Sequence, residues 1–158
     1  DLPIGFADAL ADVLETLPAY TTTGVSENRA MLTIQAADVG ALKEAFHAVF
    51  RKEWEGHRDE MEAIYGIRSW KAIHTNGTAE TEAGANWNNG RGGLKILFRD
   101  EKENPVSFIW MRPSGTEPVF RILCDVKGTE EAAERSLLRW ETAMLRKADE
   151  ALRAQAGQ

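Results

Sequence analysis

Residues 29–36 alternate in polarity, with Ala30, Leu32, Ile34 and Ala36 set against Met31, Thr33 and Gln35. That period of two predicts a strand with one buried face. Three further strand-length runs, 93–99, 106–112 and 119–126, are separated by turns at 100–105 and at a central polar loop, and predict an antiparallel meander. In the last of these, Phe120, Ile122, Cys124 and Val126 share one face, and Arg121, Leu123 and Asp125 the other. Helical spacing places Ile4, Ala7, Leu10, Ala11 and Leu14 opposite Asp8, Asp12 and Glu15, predicting an amphipathic helix over 3–16 that ends near Pro18. A second helix follows the capping residue Asp38, with Val39, Leu42, Phe46, Val49 and Phe50 inward and Lys43 and Glu44 outward. Gly56 is expected to interrupt it, with a shorter helical piece over 58–65 closed by Gly66. Thr129 caps a long third helix carrying the stripe Ala133, Leu137, Trp140, Met144, Ala148 and Ala151. Its Glu130, Glu131 and Glu134 suit the positive end of the helix as surface charge.

Two segments carry little periodicity. Residues 20–24, Tyr-Thr-Thr-Thr-Gly, look like a linker. Residues 70–75 form a short strand candidate, Asn76-Gly77 a turn, and 78–92 an irregular excursion without a core pattern. The order of elements predicts an α+β domain: one antiparallel sheet of four to five strands, with two main helices on one face.

The length of 158 residues suits one domain with a proper core. A net charge of −6 argues against nucleic acid as a partner, because a phosphate backbone needs a field of Lys and Arg. A single anionic metabolite needs only a local positive pocket. The lone Cys124 lies in an apolar run and is expected to be a small buried hydrophobe, which fits a reducing compartment. No run approaches the roughly 20 apolar residues of a membrane span, and Asp1-Leu2-Pro3 begins no signal sequence. We therefore expect a cytoplasmic protein without membrane contact, and, with no initiating Met, a piece of a longer polypeptide.

The stretch with parts for chemistry is Arg112-Pro113-Ser114-Gly115-Thr116-Glu117-Pro118, between two apolar runs. Arg112 offers a planar fork of donors that matches phosphate, Ser114 and Thr116 offer hydroxyls, and Gly115 leaves the backbone N–H groups open to a ligand. Pro113 and Pro118 restrict the loop's two ends. On residue types alone, an ordinary turn fits equally well. The string, with the following Val119-Phe120-Arg121-Ile122, closely resembles the signature phosphate-binding loop of the α-D-phosphohexomutases, the phosphoglucomutase, phosphomannomutase and phosphoglucosamine mutase family. Residues 92–98 and 108–111 extend the resemblance over 92–128.

That resemblance implies the fourth, C-terminal domain of such an enzyme, with a TATA-binding-protein-like α+β fold over 19–158 and residues 1–18 as helix and linker from the preceding domain. It implies that Arg112, Ser114, Gly115 and Thr116 hold the non-transferring phosphate of a hexose phosphate or hexose bisphosphate, with Glu117 and Pro118 shaping the loop. Arg121, Lys95 and Arg99 form either a positive wall or a solvated face, and Arg91 a second anion-binding turn or a stray surface charge. Stretches resembling the family's serine loop, metal loop and sugar-reading loop are absent from the chain. The resemblance therefore implies no catalytic residue and no metal ligand here, with magnesium and a phosphoserine held by the remaining domains of the parent. A stand-alone module that binds a phosphorylated ligand without turnover is the alternative. His47, His57 and His74 match no metal spacing and are expected at the surface or in packing. Trp110 and Trp140 are expected in the core, and Trp87 facing substrate.

Overall fold

The computed structural model describes residues 6–156. Ile4 of the first expected helix lies outside the described residues, as do the side chains of Ala7, Asp8 and Leu10. The elements run α1 (Phe6–Thr16), β1 (Tyr20–Thr22), β2 (Met31–Thr33), α2 (Val39–Tyr65), β3 (Ser69–Asn76), β4 (Ala79–Glu82), β5 (Gly93–Arg99), β6 (Pro105–Pro113), β7 (Val119–Lys127) and α3 (Glu131–Ala156). The fold is α+β, as the polarity pattern requires. The sheet is larger than the expected four to five strands: seven antiparallel strands lie in the order β1-β7-β6-β5-β3-β4, with β2 also paired to β7.

The added strands are short edge pieces. β1 and β2 share one edge of β7, with Tyr20 opposite Lys127 and Met31 opposite Arg121. β4 forms a hairpin with β3 around Gly77, whose φ of 60° is the left-handed conformation that turn needs. Segments of three or four residues are too short to show a period. Pairing to the open N–H and C=O groups of an edge strand decides their structure.

Residues 20–24 are accordingly no linker. The Thr23 N–H donates to the Cys124 carbonyl at 2.9 Å, and the Thr23 hydroxyl donates to the Glu134 carboxylate. Glu134 is only 2% exposed, and Arg29 Nη1 reaches both its oxygens, at 2.8 and 2.6 Å. Glu134 is thus a buried anchor for the β1–β2 edge and not surface charge at a helix end. Glu130 and Glu131 are exposed as expected.

Helices α2 and α3 cover the sheet face that carries Leu94, Ile96, Ile109, Phe120 and Cys124, and a single core fills the space between the layers. Cys124 is buried, and burial pushes its thiol up to about 12, so it stays protonated and inert. Asp38 caps α2 by accepting from the Gly40 and Ala41 N–H groups at 2.8 and 3.0 Å. Gly66, at φ 67°, closes it. The expected break at Gly56 does not occur, because Trp54 before it and Met61 after it both pack on the core. That packing outweighs the ~1 kcal/mol a helical glycine costs. Of the amphipathic helix expected over 3–16, the described part forms as α1, with Val13 and Leu14, and Leu17 just beyond it, each more than half exposed. None of the described helices is long and apolar enough to cross a membrane.

Candidate functional site

The sheet face that α2 and α3 leave uncovered carries a cleft of about 1000 Å³. Two strand features place it. The alternation of β6 turns Phe108, Trp110 and Arg112 away from the helices while Ile109 and Met111 enter the core. The loop between β6 and β7 then overhangs one end of the cleft, contributing Arg112, Pro113 and Gly115 to its wall.

This loop is fixed at three points. The Ser114 N–H donates to the Val119 carbonyl at 2.8 Å, and the Ile34 N–H donates to the Pro118 carbonyl at 3.3 Å. From across the cleft, Arg91 Nη2 donates to the Ser114 carbonyl at 2.5 Å. Ser114 Oγ accepts from the Thr116 N–H at 3.4 Å, a local turn bond. Ser114 and Thr116 flank the cleft without lining it, Glu117 is exposed at the tip, and Pro118 serves as the anchor to the chain beyond β2.

Arg91, Lys95 and Arg112 converge on the cleft. Lys95 is engaged with Glu80 of β4 and sits 5.8 Å from the Phe108 ring centroid. Among the described residues, Arg91 and Arg112 pair with no carboxylate. Two guanidinium groups free of internal counterions at one end of a concave surface make a place for an anion. Arg121, expected as an accessory, lies outside the cleft: it pairs across the strands with Arg112, and its Nη1 donates to the Val25 carbonyl at 3.4 Å. Arg99 is engaged with Glu103.

Arg91 is held in place from the other side of the sheet. Lys43, expected to point outward, is fully buried. Its ammonium donates to Asn89 Oδ1 and to the carbonyls of Gly90 and Gly92, the latter two at 2.7 and 2.6 Å. Burial pushes this amine down to about 8. Glu44, also expected outward, accepts from the Trp87 and Asn88 N–H groups at 2.8 and 2.7 Å. One turn of α2 therefore grips the backbone of 87–92, and Trp87 drops into the core against Phe46, Phe50 and Trp70. The excursion is irregular in hydrogen-bonding pattern yet tightly anchored. A lone Trp within Asn86-Trp87-Asn88-Asn89 was the sequence signal of that anchor.

The two tryptophans have exchanged their expected roles. Trp87 is 0% exposed and lines no part of the cleft, whereas Trp110 is half-buried and does line it. A sequence signal existed here too: Trp110 lies two residues before Arg112, and a strand puts such residues on one face. Trp140 packs against the core as expected. His47 stacks on Trp87 at 4.2 Å, His57 Nδ1 lies 2.9 Å from the Glu53 carbonyl, and His74 sits on β3 at the cleft wall. Among the described residues no group of His, Cys, Asp and Glu could hold a metal ion.

Gly115 separates a structural from a ligand-binding role for the loop. Its φ lies outside the left-handed region, and a Cβ built on it meets nothing within 4 Å. Neither conformation nor packing requires glycine there. Gly115→Ala is therefore expected to change stability by less than about 0.5 kcal/mol, while weakening phosphate binding several-fold by crowding the loop N–H groups. Thermal unfolding and phosphate titration on the same sample measure both. Set beside family models and curated proteins, the chain matches neither a family model nor a curated protein.

Proposed function

We propose that this chain is the C-terminal, substrate-phosphate-binding domain of an α-D-phosphohexomutase of the phosphoglucomutase and phosphomannomutase kind, on a TATA-binding-protein-like variant of the α+β fold. In this reading residues 1–18 end the preceding domain, and the exposed Val13 and Leu14 of α1, with Leu17 just beyond it, are the surface that domain covers. The carrying observation is that Arg112 and Gly115, from the loop resembling the family's phosphate loop, meet Arg91 at one end of the open-face cleft, with neither guanidinium committed to a carboxylate.

The reaction is an intramolecular phosphoryl transfer. A phosphoserine on another domain gives its phosphoryl group to the sugar, the bisphosphate turns round, and the other phosphate returns to the serine. This domain's part is to neutralise and position the phosphate that is not being transferred, in either orientation of the sugar. In this reading magnesium is held by the remaining domains of the parent, and no step described here runs through it. Cytoplasmic location goes with a sugar-phosphate substrate.

Titration of the ¹⁵N-labelled chain with glucose 1-phosphate tests the reading. The expected result is saturable shifts first at the amides of Arg112, Ser114, Gly115 and Thr116 and of 89–92, the two segments joined by the Arg91 to Ser114 bond. Shifts spread evenly over the surface, or confined to other faces, would overturn it.

A further inference from the structure

We infer that Trp110 is a stacking platform for the pyranose ring of the substrate, so that this domain grips the sugar as well as its phosphate. The inference rests on the proposed function and adds a subsite to it. Three features carry it.

The first is how the indole is held. Trp110 Nε1 donates to Thr75 Oγ1 at 2.9 Å across an intervening strand. That strand is β5, and the residue beneath the indole is Gly93. A Cβ on Gly93 would lie 2.8 Å from Trp110 Nε1, 3.1 Å from its Cε2 and 2.2 Å from Thr75 Oγ1. The absence of a side chain at Gly93 lets the indole settle across β5, and the Thr75 bond fixes its rotation. Its one polar atom is thereby satisfied, leaving an apolar surface that lines the cleft.

The second is position along β6. Trp110 and Arg112 share a face two residues apart, about 7 Å at the usual strand rise. A phosphate seated on Arg112, Arg91 and the loop N–H groups therefore puts the ring of its sugar above Trp110, one phosphoester linkage away. The third is the company the indole keeps. Lys95 and Leu123 flank it in register on either side, and Asn76, Glu80 and Thr81 of the β3–β4 hairpin line the opposite wall. A pyranose has an apolar face of C–H groups bearing slight positive charge, which suits the negative face of an aromatic ring, and a rim of hydroxyls, which suits a polar wall. The cleft so built takes a phosphorylated hexopyranose in preference to a bare phosphate or an acyclic phosphoester.

Calorimetric titration of glucose 1-phosphate, glycerol 3-phosphate and inorganic phosphate into the wild type, Trp110→Leu and Trp110→Phe tests this. Wild type is expected to prefer glucose 1-phosphate over glycerol 3-phosphate by about 3- to 10-fold. Trp110→Leu should erase that margin while leaving inorganic phosphate within twofold, and Trp110→Phe should keep most of it. Equal wild-type affinities for the two esters, or a margin that survives Trp110→Leu, overturns the platform while leaving the phosphate site standing. Failure of all three ligands to bind wild type overturns both. Should Trp110→Leu not fold, the indole N–H resonance lost in Trp110→Phe identifies Trp110 in the wild-type spectrum. It should then shift with glucose 1-phosphate and stay within a quarter of that shift with glycerol 3-phosphate; equal shifts overturn the platform.

Discussion

Arg112→Ala is expected to lower affinity for glucose 1-phosphate by about 10- to 100-fold, the loss of one or two hydrogen bonds between charged groups at ~1.5–3 kcal/mol. The native domain should be otherwise unaffected, because Arg112 is exposed, and exposed residues without special contacts change stability by only about 0.5 kcal/mol. Arg112→Lys should recover part of the binding, since an ammonium keeps the charge and loses the planar fork. Arg121→Ala is the control. Its guanidinium donates to the Val25 carbonyl outside the cleft, so although it stands opposite Arg112 across the strands, its loss should cost clearly less affinity than that of Arg112, because only its charge and no ligand hydrogen bond is removed. Equal losses from both variants would mean that general surface charge, and not the loop, attracts the anion.

Replacing Glu141 by leucine is expected to stabilise the protein, by about 1–4 kcal/mol at pH 8. Glu141 is fully buried in the middle of α3's core-facing stripe, and neither of its carboxylate oxygens has a hydrogen-bond partner. Burial holds its pKa well above the ordinary value of 4.5. Between 4.5 and that raised value the folded protein keeps a proton that the unfolded chain has released. Stability of the wild type should therefore fall as pH rises through this window. The leucine variant lacks the group and should lack that slope, so the two curves converge toward pH 4. There the neutral carboxyl costs only its missing hydrogen bonds. Chemical denaturation at pH 4, 6 and 8 reads both effects. A variant less stable than wild type at pH 8 would show that the carboxyl has a compensating role in the core.

The elements themselves were largely legible in the chain. The faces of β7, the cap at Asp38, the closure at Gly66 and the burial of Cys124 follow from short-range rules: a period of two, a side chain that reaches two or three residues ahead, a glycine at positive φ. The loop at 112–118 was legible as a candidate anion site because its chemistry is written in consecutive residues. Helix α2's continuity through Gly56 was not, since a local penalty of ~1 kcal/mol gave way to the core contacts of Trp54 and Met61.

Side chains whose partners lie far off in the chain escaped such rules. Lys43 and Glu44 look like solvated helix positions until the backbone of 87–92 arrives 43 or more residues later to accept and donate their hydrogen bonds. Glu134 looks like dipole compensation until Arg29 and Thr23 close over it. Composition and local pattern set the α+β class, the one-sided sheet and the make-up of the 112–118 loop, because each depends on neighbours within a few residues. The tertiary structure alone decided that Arg91 meets that loop and that Trp110, not Trp87, lines the cleft. Both depend on which strands pair and in what register, and a burial gain shared among distant residues leaves no mark in any single stretch.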